Sequence, residues 1–216
     1  MRGSIAAALI LAFLAAALSV LAWPHLPDPA PLHFDASGQA DGFGSPWVVA
    51  ALVPVLQLLL PLLILGITRL DPRKENVAAS AGGIDLILMA LGAYLLLVHM
   101  MLLQAAVTGG HLSTRGMLAG LGALFMAIGA ALPRLKSNYF AGIRTPWALQ
   151  SEAVWDKTHR LGGWAMGASG LLTLLAALVL PPIAGFVVGL GALMLGSLVA
   201  VPASYLFWKQ EQQGQA

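Results

Sequence analysis

No cysteine occurs among the 216 residues. That excludes a disulfide, a thiolate metal site and a cysteine nucleophile. Charge is almost as scarce: Asp, Glu, Lys and Arg make up 9% of the chain, against about a quarter of a soluble domain. Apolar–polar alternation is missing as well, and with it the ~10-residue alternating strands of a membrane β-barrel. What abounds is apolar. Hydrophobic residues are 59% of the chain and the mean hydropathy is +0.84, a surplus that a domain of this size cannot bury. The composition therefore excludes an ordinary soluble enzyme, a disordered protein and a nucleic-acid binder. A pI near 9.2 does not alter this, because the formal net charge is only +2. The chain reads as an all-α integral membrane protein whose first partner is the lipid bilayer.

A helix needs about 20 mostly apolar residues to cross a ~30 Å hydrocarbon core. Six runs qualify: 5–22, 47–67, 84–107, 116–132, 161–180 and 183–208. Trp23-Pro24 ends the first. Ser45 as N-cap and Pro46 at the first helical position open the second. Pro133 stops the fourth, and Pro181-Pro182 turns the fifth into the sixth. Behind Arg2, the first run also loosely resembles a secretory signal peptide, but its length suits a retained span. The chain divides into a two-span unit, 1–70, with an outer loop at 23–46, and a four-span unit, 71–216, with an inner loop at 133–160. Alternating the connections puts ten of the eleven Lys and Arg on one side and only Arg115 on the other. The basic side is the cytoplasm, so both termini are expected inside.

Between membrane helices, small residues allow close backbone approach. Gly116/Gly120, Gly163/Gly167 and Gly185/Gly189 supply such faces at a spacing of four. Pro54, Pro61 and Pro202 fall within spans, where kinks are expected. Gln57, Asp85 and His99 are the notable polar side chains at depth. Asp85 and His99 share a face of the third span with Met89 between them, but lie ~21 Å apart along the axis. A proton or ion path along that face is one functional candidate.

Two polar segments interrupt the apolar pattern. In the outer loop, prolines stiffen the start, and Ser37-Gly38 and Asp41-Gly42 signal turns. A short hairpin fits, with 32–34 on one arm and Phe43 on the other. His25, His33, Asp35 and Asp41 are zinc-compatible donors, but their spacing matches no zinc motif. A turn braced by Asp and His hydrogen bonds is expected, with no metal and no cofactor. In the inner loop, Thr145-Pro146 should start a short helix, and Ser151 is a second N-cap from which a helix can run into span five. Ser151, Trp155, Thr158 and His159 share one helix face, with Trp155 placed for the headgroup layer. Arg144 precedes a helix N-terminus, a setting that can hold an anion; the plainer reading is an interfacial anchor. His159 is expected to fasten the loop to the bundle through Arg144 or loop carbonyls.

These segments carry a family resemblance. Asn138, Tyr139, Gly142, Arg144-Thr145-Pro146-Trp147, Leu149, Ser151, Trp155, Lys157-Thr158-His159-Arg160 and Gly163 resemble the signature of the SdpI family of bacterial membrane proteins. Leu26-Pro27, Pro31, His33, Ser37-Gly38, Asp41-Gly42 and Ser45 resemble the domain of unknown function that often precedes it. That pattern commonly closes with a Lys, where this chain has Pro46. The resemblance implies a six-helix protein of the bacterial plasma membrane that protects against, or senses, a membrane-active peptide toxin. A peptide toxin outside and a cytoplasmic repressor or other protein inside are its implied partners. Two alternatives stand beside it: a small transporter or channel using the Asp85–His99 face, and a membrane enzyme at the inner interface using His159 and Arg144. The second is weak in the sequence, since Ser151 and His159 lie ~12 Å apart by helical rise.

Overall fold

A computed structural model describes residues 2–214. The extreme ends, Met1 and 215–216, to which the expectation for the termini also refers, lie outside the described residues. The order is α1 (Arg2–Ala22), β1 (Ala30–Phe34), β2 (Ala40–Gly44), α2 (Pro46–Leu70), α3 (Lys74–Ala79), α4 (Ala81–Thr108), α5 (Thr114–Ala131), α6 (Pro146–Gln150), α7 (Glu152–Val179), α8 (Pro182–Leu198) and α9 (Ala200–Gly214). Six helical stretches are long and apolar enough to cross a membrane, the last made of α8 and α9 together. The all-α, six-span reading therefore holds. Large apolar side chains such as Phe13, Val20, Leu195 and Val179 are more than 70% exposed, as expected of surfaces whose solvent is lipid.

Several starts and breaks follow from local chemistry. Pro46 opens α2, but Ser45, although extended at the N-cap position, makes no side-chain cap bond. Pro at the first position already presets φ and removes one orphan N–H. The sixth span divides between Leu198 and Ala200, because Pro202 has no N–H to offer the Leu198 carbonyl. At 28 residues, α7 is ~42 Å long and outlasts a ~30 Å core. The short α3 was absent from the sequence reading; it fills the turn after α2.

The helix seam at the centre keeps the expected Gly163/Gly167 face and corrects the Gly116/Gly120 one. Gly116 and Gly120 face Met101, Tyr94 and Leu97 of α4, not another small-residue face. The tightest pair is α5 against α7, and it uses Gly122/Gly129 against Gly170/Gly163. A Cβ on Gly122 would stand 2.6 Å from the Gly170 carbonyl oxygen, and one on Gly129 2.6 Å from that of Gly163. Gly167, four residues after Gly163, also packs on Gly129, whose added Cβ would stand 2.6 Å from its N; the paired glycines then recur at seven. Seven residues return a position to the same side of a left-handed helix pair, so the seam repeats at that period. α7 also packs on α8 and α9, while α4 joins α1 and α2 to α5.

Candidate functional site

At one end of the bundle the two strands form the expected hairpin, with Pro31 opposite Phe43 and His33 opposite Gly42. Asp35 makes its turn: Oδ1 accepts from Ser37 N (2.8 Å), Ser37 Oγ (2.6 Å) and Gln39 N (3.0 Å). Those bonds, led by the Ser37 hydroxyl and then the Gln39 amide, hold the Asp35 carboxyl below its usual range. His33 Nδ1 meets Asp41 Oδ1 at 2.5 Å on the exposed face. Gly38 has φ +91° and is buried, because the tip docks on the α4–α5 connection. Leu112 N donates to Gly38 O (2.8 Å) and Ala40 N to Gly110 O (3.1 Å). Among the described residues no three His, Asp or Glu gather as a metal set. Trp23 and Trp47 pack at the hairpin base, 4.3 Å between centroids with the ring planes tilted by 43°.

Within the bundle the deep polar groups join helices. Gln57 Nε2 donates to the Gly92 carbonyl at 2.8 Å. His99, fully buried, sits 2.8 Å from Ser19 Oγ and 3.1 Å from Ala15 O, and Ser19 Oγ is 2.6 Å from Ala50 O. If the Ser19 hydroxyl donates to Ala50 O, His99 Nε2–H donates to Ser19. Gln57 Oε1 and His99 Nδ1 have no partner among the described residues. Asp85 is half-buried, and Met89 between it and His99 is 38% exposed.

At the opposite end, residues 132–151 are bound down as a lock. Asn138, fully buried, shapes the turn by itself. Its Oδ1 accepts from Phe140 N (2.8 Å) and Ala141 N (2.7 Å), and its Nδ2 donates to Lys136 O (2.7 Å). The segment before α4 grips the same loop. Asp71 Oδ2 accepts from Tyr139 N (2.8 Å), Asn76 Nδ2 donates to Ser137 O (2.7 Å) and Lys136 N to Ser80 Oγ (2.8 Å). Arg73 donates to Ser137 Oγ and to Leu149 O, and lies 4.9 Å from the centre of the Tyr139 ring. Asp71, Arg73, Asn76, Ser80 and Ser137 were missed in sequence. Only the charge of Arg73 was counted, and nothing local says that 71–80 meets 136–149.

His159 and Trp155 form the centre of the lock. Both are at most 1% exposed and stack at 3.9 Å. Trp155 is covered by protein and so is not presented to the headgroup layer as expected. The loop folds over it, Leu135 accepts its Nε1–H at 2.8 Å, and a large ring gains most from being covered. His159 Nε2 accepts from Ile143 N at 3.0 Å, and Nδ1 donates to Trp155 O at 2.9 Å. Those partners specify a neutral ring with its proton on Nδ1. The loop contact is thus an amide N–H, not Arg144 or a carbonyl. Gly142 has φ +114°, and a Cβ there would collide with His159 Nε2. Thr158 is buried beside them, its hydroxyl without a partner among the described residues.

Arg144 is exposed and donates to Tyr139 O at 2.7 Å. Thr145 caps α6 through Ala148 N (3.1 Å) and donates to Ser204 Oγ of α9 (2.8 Å). α6 has five residues, too short for the anion setting considered above. Behind Pro146, Trp147 packs edge-on to Tyr205 at 5.2 Å. Ser151 caps α7 through Val154 N (3.3 Å) and donates to Glu211 Oε1 (2.8 Å). No nucleophile–base pair links Ser151 to His159.

Residues 134–206 match the SdpI/YfhL protein family, and residues 10–58 match a domain of unknown function, DUF1648. Over 157 residues the chain is 24% identical to the immunity protein SdpI of Bacillus subtilis (strain 168), covering 71% of this chain and 72% of that one. No solved structure matches. The chain resembles the SdpI family and is a multi-pass protein of the plasma membrane.

Proposed function

We propose that this protein is an SdpI-like immunity protein that protects the membrane against, or senses, a membrane-active peptide toxin, without catalysis. One observation carries the reading: residues that bear the family resemblance are among those that build the lock. Asn138, Gly142, Thr145, Ser151, Trp155 and His159 each hold the loop to itself, to α7 or to α9. The basic asymmetry supports a cytoplasmic lock and an outer hairpin. A peptide meets the hairpin and the outer helix ends; the lock offers a cytoplasmic regulator a surface that depends on how α7 and α9 sit. Catalysis draws no support from the lock, since both His159 nitrogens are already bonded.

The test is survival of a toxin-sensitive bacterium expressing the chain, challenged with a panel of secreted peptide toxins. Protection against at least one toxin is expected. Arg144→Ala, at equal abundance in the membrane, should lose protection, because Arg144 is an exposed cation of the lock. Survival unchanged by expression across the panel would overturn the reading.

A further inference from the structure

A groove of about 620 Å³ runs along the flank of the α5–α7 seam. It follows from the glycine contact: the helices touch backbone to backbone, leaving no side chains to fill the flank. Gly129, Gly163 and Gly167 line it, and Leu171 marks its deep end. At the loop end it is bordered by Arg160. The Arg160 side chain is exposed and makes no hydrogen bond or ion pair among the described residues. Lys157, also exposed, lies one turn before it on the same side of α7. One turn after Arg160 comes Trp164, 80% exposed and part of the groove wall. From Arg160 to Leu171 the helix rises ~17 Å, close to the ~15 Å of one leaflet, half of a ~30 Å core.

The groove therefore runs from a cation at its rim over about the thickness of one leaflet. We propose that it holds one anionic phospholipid of the leaflet at the loop end. One acyl chain lies along Gly129, Gly163 and Gly167, and the phosphate sits on the Arg160 guanidinium, whose fork fits phosphate oxygens. Lys157 supplies the second positive charge. Charge complementarity chooses this occupant over another apolar helix, since a helix face brings no anion to the rim.

Intact-complex mass spectrometry of the full chain in detergent tests the proposal, with phosphatidylglycerol as the probe and a diacylglycerol of the same chains as its phosphate-free counterpart. One phosphatidylglycerol per protein is expected, bound at least tenfold better than diacylglycerol. Gly167→Leu fills the groove. A Cβ at Gly167 meets nothing within 4 Å, so the side chain enters open space, and binding should disappear. Arg160→Gln, a surface change that leaves the seam intact, should weaken binding about tenfold, the effect of losing one charge-assisted contact. Undiminished binding in either variant would overturn the proposal. So would equal binding of diacylglycerol, or a lipid-free dimer mass.

Discussion

Replacing His159 by Leu tests whether a hydrogen bond holds the lock. The change roughly keeps side-chain bulk in a site that is 1% exposed and removes both ring nitrogens. The Ile143 amide then loses its acceptor at 3.0 Å, and a buried donor left unpaired costs about 1–3 kcal/mol. The Trp155 carbonyl suffers less, because it remains in the α7 ladder. At about 1.4 kcal/mol per tenfold, the open population of the loop should rise roughly 5–150-fold. His159→Gln keeps an amide acceptor and an amide donor, and should stay within about 0.5 kcal/mol of the parent. Hydrogen exchange by mass spectrometry on peptides covering 137–146, with the protein in nanodiscs, reads the opening directly. Faster exchange in the Leu variant and near-parental exchange in the Gln variant are expected. Exchange in His159→Leu equal to the parent would refute the hydrogen-bond argument. In the survival assay Gln should protect and Leu should not. If both fail while present in the membrane, His159 acts as a base and the enzyme reading returns.

Three further outcomes are expected. Because the chain has no cysteine, single cysteines at the exposed Ala36 and Ala153 report orientation cleanly. Ala36→Cys should react with an impermeant maleimide in whole cells, and Ala153→Cys only after permeabilisation; the reverse pattern refutes the proposed topology. Gly129→Ala puts a Cβ 2.6 Å from two backbone atoms of α7 and should destabilise by about 1–3 kcal/mol. Gly167→Ala, with open space at its Cβ, should gain up to about 1 kcal/mol from helix propensity; equal melting temperatures for the two would refute the seam. The Asp35 carboxyl is held below its usual range, so its contribution to the turn is complete above the ordinary carboxylate pKa and is lost as pH falls. Amide protection at Ser37 and Gln39 should drop below about pH 4, and Asp35→Asn should abolish that dependence. An unaltered pH profile in Asp35→Asn would show that another group is responsible.

Much of this molecule was legible in its sequence because the bilayer constrains it one helix at a time. Span length, Pro and Ser/Thr boundaries and the basic asymmetry are local quantities. Thr145 and Ser151 cap α6 and α7 as their positions suggest, and the Asp35 turn is written in five consecutive residues, 35–39. Relations between distant segments were not legible. The Gly163/Gly167 face is visible in the chain, but that Gly129 packs on it, and that Gly122 meets Gly170 seven residues along, is not. Trp155 looked interfacial because of its type and depth, yet a loop 20 residues away covers it.

Six apolar stretches, two polar segments and the side on which cations gather are properties of the chain alone, since each is decided by transfer of one segment between water and lipid. Which glycines meet, which nitrogen of His159 carries the proton, and that Arg73, Asp71 and Asn76 grip a loop more than 60 residues away belong to the tertiary structure. In lipid, apolar side chains discriminate little between neighbours. Backbone contact and hydrogen-bond geometry make the choice, and both exist only once the helices are side by side.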